Sequence, residues 1–266
     1  MLKRIAMFAL VAVLAVTTLV GCQPKVLTVQ IAGSTSMQKL NEVWAENFMA
    51  ANKNITVNIT GGGSSAGVTA AVEGTAQIGA ASRALKQSEK DKGLTQIQVA
   101  IDGVAVVVNP SNPISNLTVE QIRKIYTGEF TNWKQVGGDD ANIAVVTREA
   151  GSGTLDAFES LVMDGQMILT NANTQNATSG VRSVVQGDQS AIGFISLGSM
   201  NADVKALKVG GVEATEANIR NGSYGIYRPF VFAVKADVNE ATQKFIDYVL
   251  SDAGQSLAVS EGFFKK

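Results

Sequence analysis

The sequence predicts an α/β protein of two lobes joined by two crossing strands, with a ligand cleft between them. Three observations predict it. Short apolar runs alternate with segments of helical spacing from Leu27 onward, two long apolar runs at 97–110 and 224–236 divide the chain, and Gly/Ser-rich loops follow several of the apolar runs. Strands alternating with helical patterns indicate βαβ units and a largely parallel sheet.

The chain opens MLKR, continues with an apolar segment from Ile5 to Val20 broken only by Thr17 and Thr18, and then reads Leu19-Val20-Gly21-Cys22. A charged start, an apolar middle and a small-residue end read as a secretory signal over residues 1–21. The run is short for a membrane span, which wants roughly 20 apolar residues, and nothing later is apolar enough to be one. We therefore expect an exported, extracytoplasmic protein. Cys22 is the one cysteine, so no intramolecular disulfide forms. Its position directly after Leu-Val-Gly resembles the lipobox of bacterial lipoproteins, which implies lipidation of Cys22, a tether over 22–26 and anchoring to the cell membrane. One acyl chain alone usually needs a second anchoring signal, and lipoproteins of that class carry more than one.

Along the mature chain, VLTVQIAG (26–33) alternates as a strand, STS follows, and Met37, Leu40, Val43, Trp44 and Phe48 recur at helical period. NITVNIT (54–60) is strand-like, GGGSS follows, and Ala66, Val68, Ala71 and Val72 continue as a helix; AQIGAAS (76–82) is a third strand. IQVAIDGVAVVVNP (97–110) ends at Asn109-Pro110, with Pro113 beyond, and reads as the first crossing. The second half holds LTVEQIRKIYTGEFTNWKQVGG (117–138), NIAVVT (142–147), REAGSGT (148–154) and SAIGFISLG (190–198). YGIYRPFVFAVKA (224–236) is the return strand, because Phe245, Ile246, Val249 and Leu250 space the segment 239–259 as a helix that needs the first half to pack on. The predicted boundaries are 27–104 plus 230–266 for lobe I and 105–229 for lobe II. Two crossings make a hinge.

Composition narrows the chemistry. The chain has 22 basic and 23 acidic residues, and losing Lys3 and Arg4 with the signal leaves a net charge of −3, so no basic excess binds nucleic acid by counterion release. Histidine is absent. That removes the usual general base and the commonest metal ligand, so neither a metal site nor a cofactor is expected. Gly63-Ser64-Ser65-Ala66-Gly67 fits G-x-S-x-G, but without histidine Ser65 has no triad. Gly151-Ser152-Gly153 starts a dinucleotide fingerprint, but Asp156 stands at the third glycine; Gly62 to Gly67 has P-loop spacing, but Val68 replaces the lysine.

Three loops share one plan of strand, hydroxyls and glycines, then helix start. A helix N-terminus leaves unpaired N–H groups and partial positive charge, glycine lets the backbone approach a ligand, and serine or threonine adds donors. Ser and Thr are also ordinary N-caps, so one such loop alone decides nothing. Three of them at the carboxyl ends of strands stand where open α/β sheets bind ligands. Arg148 sits between a strand and such a loop, and its planar fork suits an oxyanion. The reading that survives is an anion receptor. A hydrolase using Ser65 or Ser152 and a surface adhesin are the rivals from other classes.

AGSTS (32–36), GGGSSAG (61–67), IGAASRAL (78–85), LTVEQIRKIYTGEFTNWKQVGG and REAGSGT together resemble the phosphate-binding proteins of bacterial phosphate ABC transporters, in order along nearly the whole mature chain. The resemblance implies the type II periplasmic-binding fold. It places phosphate ligands at Thr35 and Ser36 in the first loop, at Ser64 with Ser65 beside it in the second, and at Arg148, Ser152, Gly153 and Thr154 in the third. Well-known members carry an aspartate in a G-A-S-D context that accepts a phosphate proton and repels sulfate; the aligned residue here is Ser82, followed by Arg83. Asp102 in the first crossing is the candidate proton acceptor in its place, or else a structural partner of Arg83 or Arg148. Asp156 is expected in the first helical turn, Trp133 and GFISLG as packing, and Glu149 as solvated. The implied activity is capture of inorganic phosphate by a monomer that hands it to a membrane permease driven by an ATPase; a receptor for sulfate, molybdate or arsenate is the alternative.

Overall fold

The computed structural model describes residues 26–266, so the predicted signal, Cys22 and most of the 22–26 tether lie outside the described residues. The elements run β1 (Leu27–Gly33), α1 (Gln38–Ala51), β2 (Ile55–Thr60), α2 (Ser64–Glu73), β3 (Ile78–Ala81), α3 (Gln87–Lys90), β4 (Leu94–Val108), β5 (Asn116–Leu117) and α4 (Val119–Tyr126). They continue with β6 (Ala144–Arg148), α5 (Gly153–Phe158), β7 (Asn173–Gln175), α6 (Thr178–Gly187), β8 (Ala191–Ser196), β9 (Lys205–Ala206), β10 (Lys208–Val209), α7 (Glu216–Arg220), β11 (Tyr227–Lys235), α8 (Glu240–Leu250) and α9 (Asp252–Ser260).

The main sheet runs β2-β1-β3-β11-β4-β8-β6-β7. β1 pairs in parallel with both β2 and β3, as βαβ units with α1 and α2 as crossovers require. β4 is the spine of the molecule. Its first part pairs antiparallel with β11 from Leu94 to Gly103, and its last five residues, Val104–Val108, pair antiparallel with β8. Those five valines and alanines are all buried, the pattern of a strand covered on both faces. Where β4 passes between lobes, Val104 N donates to Ile226 O at 2.8 Å and the Tyr224 hydroxyl donates to Val104 O at 2.8 Å, which ties the two crossings together.

Each lobe has its own core. Val29, Ile31, Trp44, Phe48, Phe232 and Phe245 belong to one cluster, Val106, Tyr126, Phe158, Ile192 and Phe194 to another. Phe158 and Phe194 stack with centroids 4.1 Å apart and planes 6° from parallel. Burying such rings contributes roughly 2–3 kcal/mol apiece. Phe245, Ile246 and Val249 of α8 enter the first cluster, so the carboxyl end of the chain completes the lobe that its amino end began.

One difference from the sequence expectation concerns 239–259, which is two helices rather than one. Ser251 leaves the helical region (φ −68°, ψ 163°), and its Oγ accepts from Gly254 N at 3.3 Å as the N-cap of α9. A serine can trade the helical ladder for such a cap, which apolar spacing does not register. Trp133 is packing, as expected: it is buried and its indole N–H donates to Ser190 O at 2.9 Å.

Candidate functional site

Hydroxyls from both lobes meet at the carboxyl edge of the sheet. Ser36 Oγ lies 2.8 Å from Thr154 Oγ1 and 3.4 Å from Thr178 Oγ1; all three are buried. Beside them Ser34 Oγ donates to Ser82 Oγ at 2.9 Å, Ser82 N donates to Ser64 Oγ at 3.0 Å, and Ser64 and Ser82 Oγ are 3.3 Å apart. Gly153 closes the space between the groups: a Cβ there would stand 2.3 Å from Ser64 Oγ and 2.6 Å from Ser82 Oγ. Only a residue without a side chain lets the third loop come so near the second.

The helices that start here use few of these hydroxyls as caps. The residues preceding α1 and α2, Met37 and Gly63, make no side-chain cap, so the hydroxyls of Thr35, Ser36 and Ser64 are not spent on the helices they adjoin. Ser152 alone of the predicted set is a cap, accepting from Thr154 N and Leu155 N at 3.3 Å each, which leaves its own O–H to donate elsewhere.

Arg148, at the end of β6, is 3% exposed. Its Nη2 donates to Thr35 Oγ1 at 3.2 Å across the cleft and its Nη1 to Thr178 Oγ1 at 3.3 Å, while Nε and Nη2 fork onto Glu149 at 2.8 and 2.9 Å. Glu149 is therefore the counterion of Arg148 and not a solvated side chain. A buried guanidinium needs that compensation.

Two further placements differ from expectation, and a third gains a partner. Asp102 does not face the cleft as a proton acceptor, because its oxygens are already engaged: Oδ1 accepts from Ser196 Oγ at 2.8 Å, and Oδ2 from Arg228 Nε and Nη2 at 3.1 and 2.9 Å. Burial pushes the Asp102 carboxyl upward, against the pull of Arg228 and Ser196. Its partner is neither Arg83 nor Arg148 but Arg228, its registered neighbour on β11. Ser65 stands apart from the hydroxyl cluster, 3.3 Å from Arg83 Nη2. Asp156 does lie in the first turn of α5, and in addition pairs with Arg83 Nε at 2.6 Å. That pair and the bond from Ser65 N to Gly151 O at 3.0 Å hold the lobes shut.

Two residues of the site escape sequence reasoning. Thr178 begins α6 after Asn176-Ala177, a fourth loop of the same plan, and that repetition was the available signal. Arg228, inside an apolar run, donates from Nη2 to Ser36 Oγ at 3.1 Å. No group of acidic, cysteine or histidine side chains among the described residues could hold a metal. What the arrangement offers is a buried shell of O–H and N–H donors with the guanidinium groups of Arg148 and Arg228, suited to an oxyanion.

A family profile described as "PBP superfamily domain" matches residues 21–253, and the chain is 31% identical over 237 residues to the phosphate-binding protein PstS of Bacillus subtilis, covering 88% of this chain and 79% of that one. The chain belongs to this family of phosphate-binding proteins. Among solved structures it resembles one from Clostridium perfringens with bound phosphate, described as a phosphate ABC transporter substrate-binding protein. The TM-score is 0.88 at 42% identity, over 90% of this chain and 99% of that one. An ABC-type phosphate transport receptor from Vibrio cholerae gives a TM-score of 0.74 at 38% identity, over 90% and 100%. The type II periplasmic-binding architecture expected from sequence is thus the architecture of the family.

Proposed function

We propose that this protein binds inorganic phosphate between its two lobes, outside the cytoplasmic membrane, and delivers it to an ABC-transporter permease for import. One observation carries the reading: a largely buried shell in which Arg148 and the hydroxyls of Thr35, Ser36, Thr154 and Thr178 converge from opposite lobes. The family's phosphate-binding members support it. In this reading Thr35, Ser36, Ser64, Ser82, Arg148, Ser152, Gly153, Thr154 and Thr178 supply the donors to phosphate, and Ser65 braces Arg83 instead. Binding is noncovalent: desolvated hydrogen bonds and fixed cations replace the anion's hydration.

No enzymatic role is proposed, since the chain has no histidine and the hydroxyls are held by donors rather than by a base. Lipidation of Cys22, a monomeric state, and lobes spanning 27–104 plus 230–266 and 105–229 complete the proposal. In this reading the anchor is the lipid on Cys22; no helix among the described residues is long and apolar enough to cross a membrane. Calorimetry on the chain lacking residues 1–22, unfolded and refolded to strip carried-over ligand, tests the central claim. Phosphate should give heat and raise the melting temperature by mass action, with weaker or absent signals from sulfate and molybdate. No response to phosphate would end the proposal.

A further inference from the structure

Arg228 is the second buried cation of the cleft and lies on the crossing strand rather than on a loop. Its side chain is 2% exposed and that of Asp102 is fully buried. The guanidinium has two usable edges. Asp102 takes the edge formed by Nε and Nη2, so the remaining Nη2 hydrogen, which reaches Ser36 Oγ, and the neighbouring Nη1 belong to the end that faces away from the carboxylate. Nη1 is buried and has no partner. The pair is therefore a fixed dipole across the hinge, negative end toward Ser196, positive end toward Ser36.

The hydroxyls around it are turned the same way. Ser36 Oγ accepts from Arg228, Thr178 Oγ1 accepts from Arg148 Nη1, and Thr35 Oγ1 accepts from both Arg148 Nη2 and Thr178 N, its two lone pairs being thereby filled. Thr35 is left with an O–H to give; Ser36 keeps its own when it accepts from Thr154, which lies 2.8 Å away and then spends its proton on Ser36. A hydroxyl whose lone pairs are filled by protein donors can only donate to a ligand, so it favours a bare oxygen over a protonated one.

We propose that Arg228, clamped by Asp102 and acting through Ser36, makes this site select the doubly charged form of its ligand. The inference rests on the phosphate reading above and specifies which ionic form of phosphate the site takes. Arg228 is a positioning residue here, its Nη2 held on Ser36 Oγ at 3.1 Å. The charged groups that face it are Asp102 from β4, Arg148 from β6 and Asp156 from α5, while Arg83, Lys86 and Glu159 line the same cavity of about 600 Å³ that Arg228 borders. None of these six is changed between wild type and the conservative variant Arg228→Lys. Asp102 is changed together with Arg228 in the neutral double variant.

The test is phosphate affinity by calorimetry from mildly acidic to mildly alkaline pH, across phosphate's second ionisation. Wild type should weaken by about tenfold per pH unit below that ionisation, following the loss of dianion. The double variant Asp102→Asn/Arg228→Gln keeps the strand pairing without the dipole. It should bind roughly 10- to 100-fold more weakly at the alkaline end and converge on wild type at the acid end. Arg228→Lys, which keeps the charge but not the fork, should fall between wild type and the double variant at the alkaline end. Ser36→Ala, which leaves the ion pair intact, should narrow the profile in the same direction and serves if the double variant does not fold. A loss equal at every pH in the double variant and in Ser36→Ala would assign Arg228 to hinge structure alone and overturn the proposal. Wild type that binds no phosphate at any pH would instead overturn the phosphate reading itself.

Discussion

Gly153→Ala separates ligand affinity from folding stability. In the structure an added Cβ at 153 would lie 2.3 Å from Ser64 Oγ and 2.6 Å from Ser82 Oγ, where ordinary contact begins near 3.4 Å. The third loop must therefore back away from the second by about 1 Å. A donor bond of ordinary length stretched by that much is lost, and hydrogen bonds to a charged ligand are each worth roughly 1.5–3 kcal/mol, so losing one predicts about 10- to 100-fold weaker phosphate binding. The same change acts oppositely on the free protein. Gly153 is the first residue of α5, and alanine is favoured over glycine in helices by up to ~1 kcal/mol, so the ligand-free melting temperature should hold or rise once the cleft is open. Calorimetry gives the affinity and thermal unfolding without phosphate gives the stability. Unchanged affinity in Gly153→Ala would refute the claim that Gly153 is there for close approach of the two lobes.

Arg83–Asp156 exists only while the lobes are together, so Asp156→Asn should weaken phosphate binding by about fivefold, the worth of a ~1 kcal/mol partly exposed pair, with higher salt shrinking the difference. Ser82→Asp would set a carboxylate among Ser34, Ser64 and Gly153; competition calorimetry should show sulfate losing ground to phosphate by tenfold or more. Burial pushes the Glu89 carboxyl up, but its hydrogen bonds from Arg83 and from Lys86 N outweigh that and hold it below the ordinary carboxylate range. A carboxylate depressed in the folded state stabilises above its unfolded pKa of about 4.3 and loses that contribution as pH falls through the folded value. Acid melting curves of wild type should therefore drop more steeply below about pH 4 than those of Glu89→Gln.

The elements that could be read in advance are those whose signal is local. Strands β1, β2, β3, β6 and β8 announce themselves by apolar runs, and the loops at 34–36, 61–65 and 148–154 by hydroxyls and glycines at strand ends. Arg148 was legible because it stands at such a junction. Thr178 was not, since β7 before it is three polar residues, Asn173–Gln175, with no alternation to mark a strand. Arg228 was hidden for a different reason: its meaning depends on Asp102, 126 positions away, and their pairing exists only in the register of β4 against β11. Glu149 looked solvated because its neighbour in sequence turned out to be its neighbour in space, and a fork onto an adjacent arginine leaves no periodic trace.

The place of β11 in the sheet bears on how the chain becomes a protein. It lies between β3 and β4, antiparallel to both, so the first lobe has a gap in its middle until residues 227–235 are made. A chain emerging in order from its amino end presents two apolar strands with open edges for the whole time that the intervening lobe is synthesised. Such edges are templates for mispairing between chains. Truncations ending before Tyr227 should therefore aggregate rather than give a half-sized domain, and the final two helices are what seal the lobe once its last strand has slotted in.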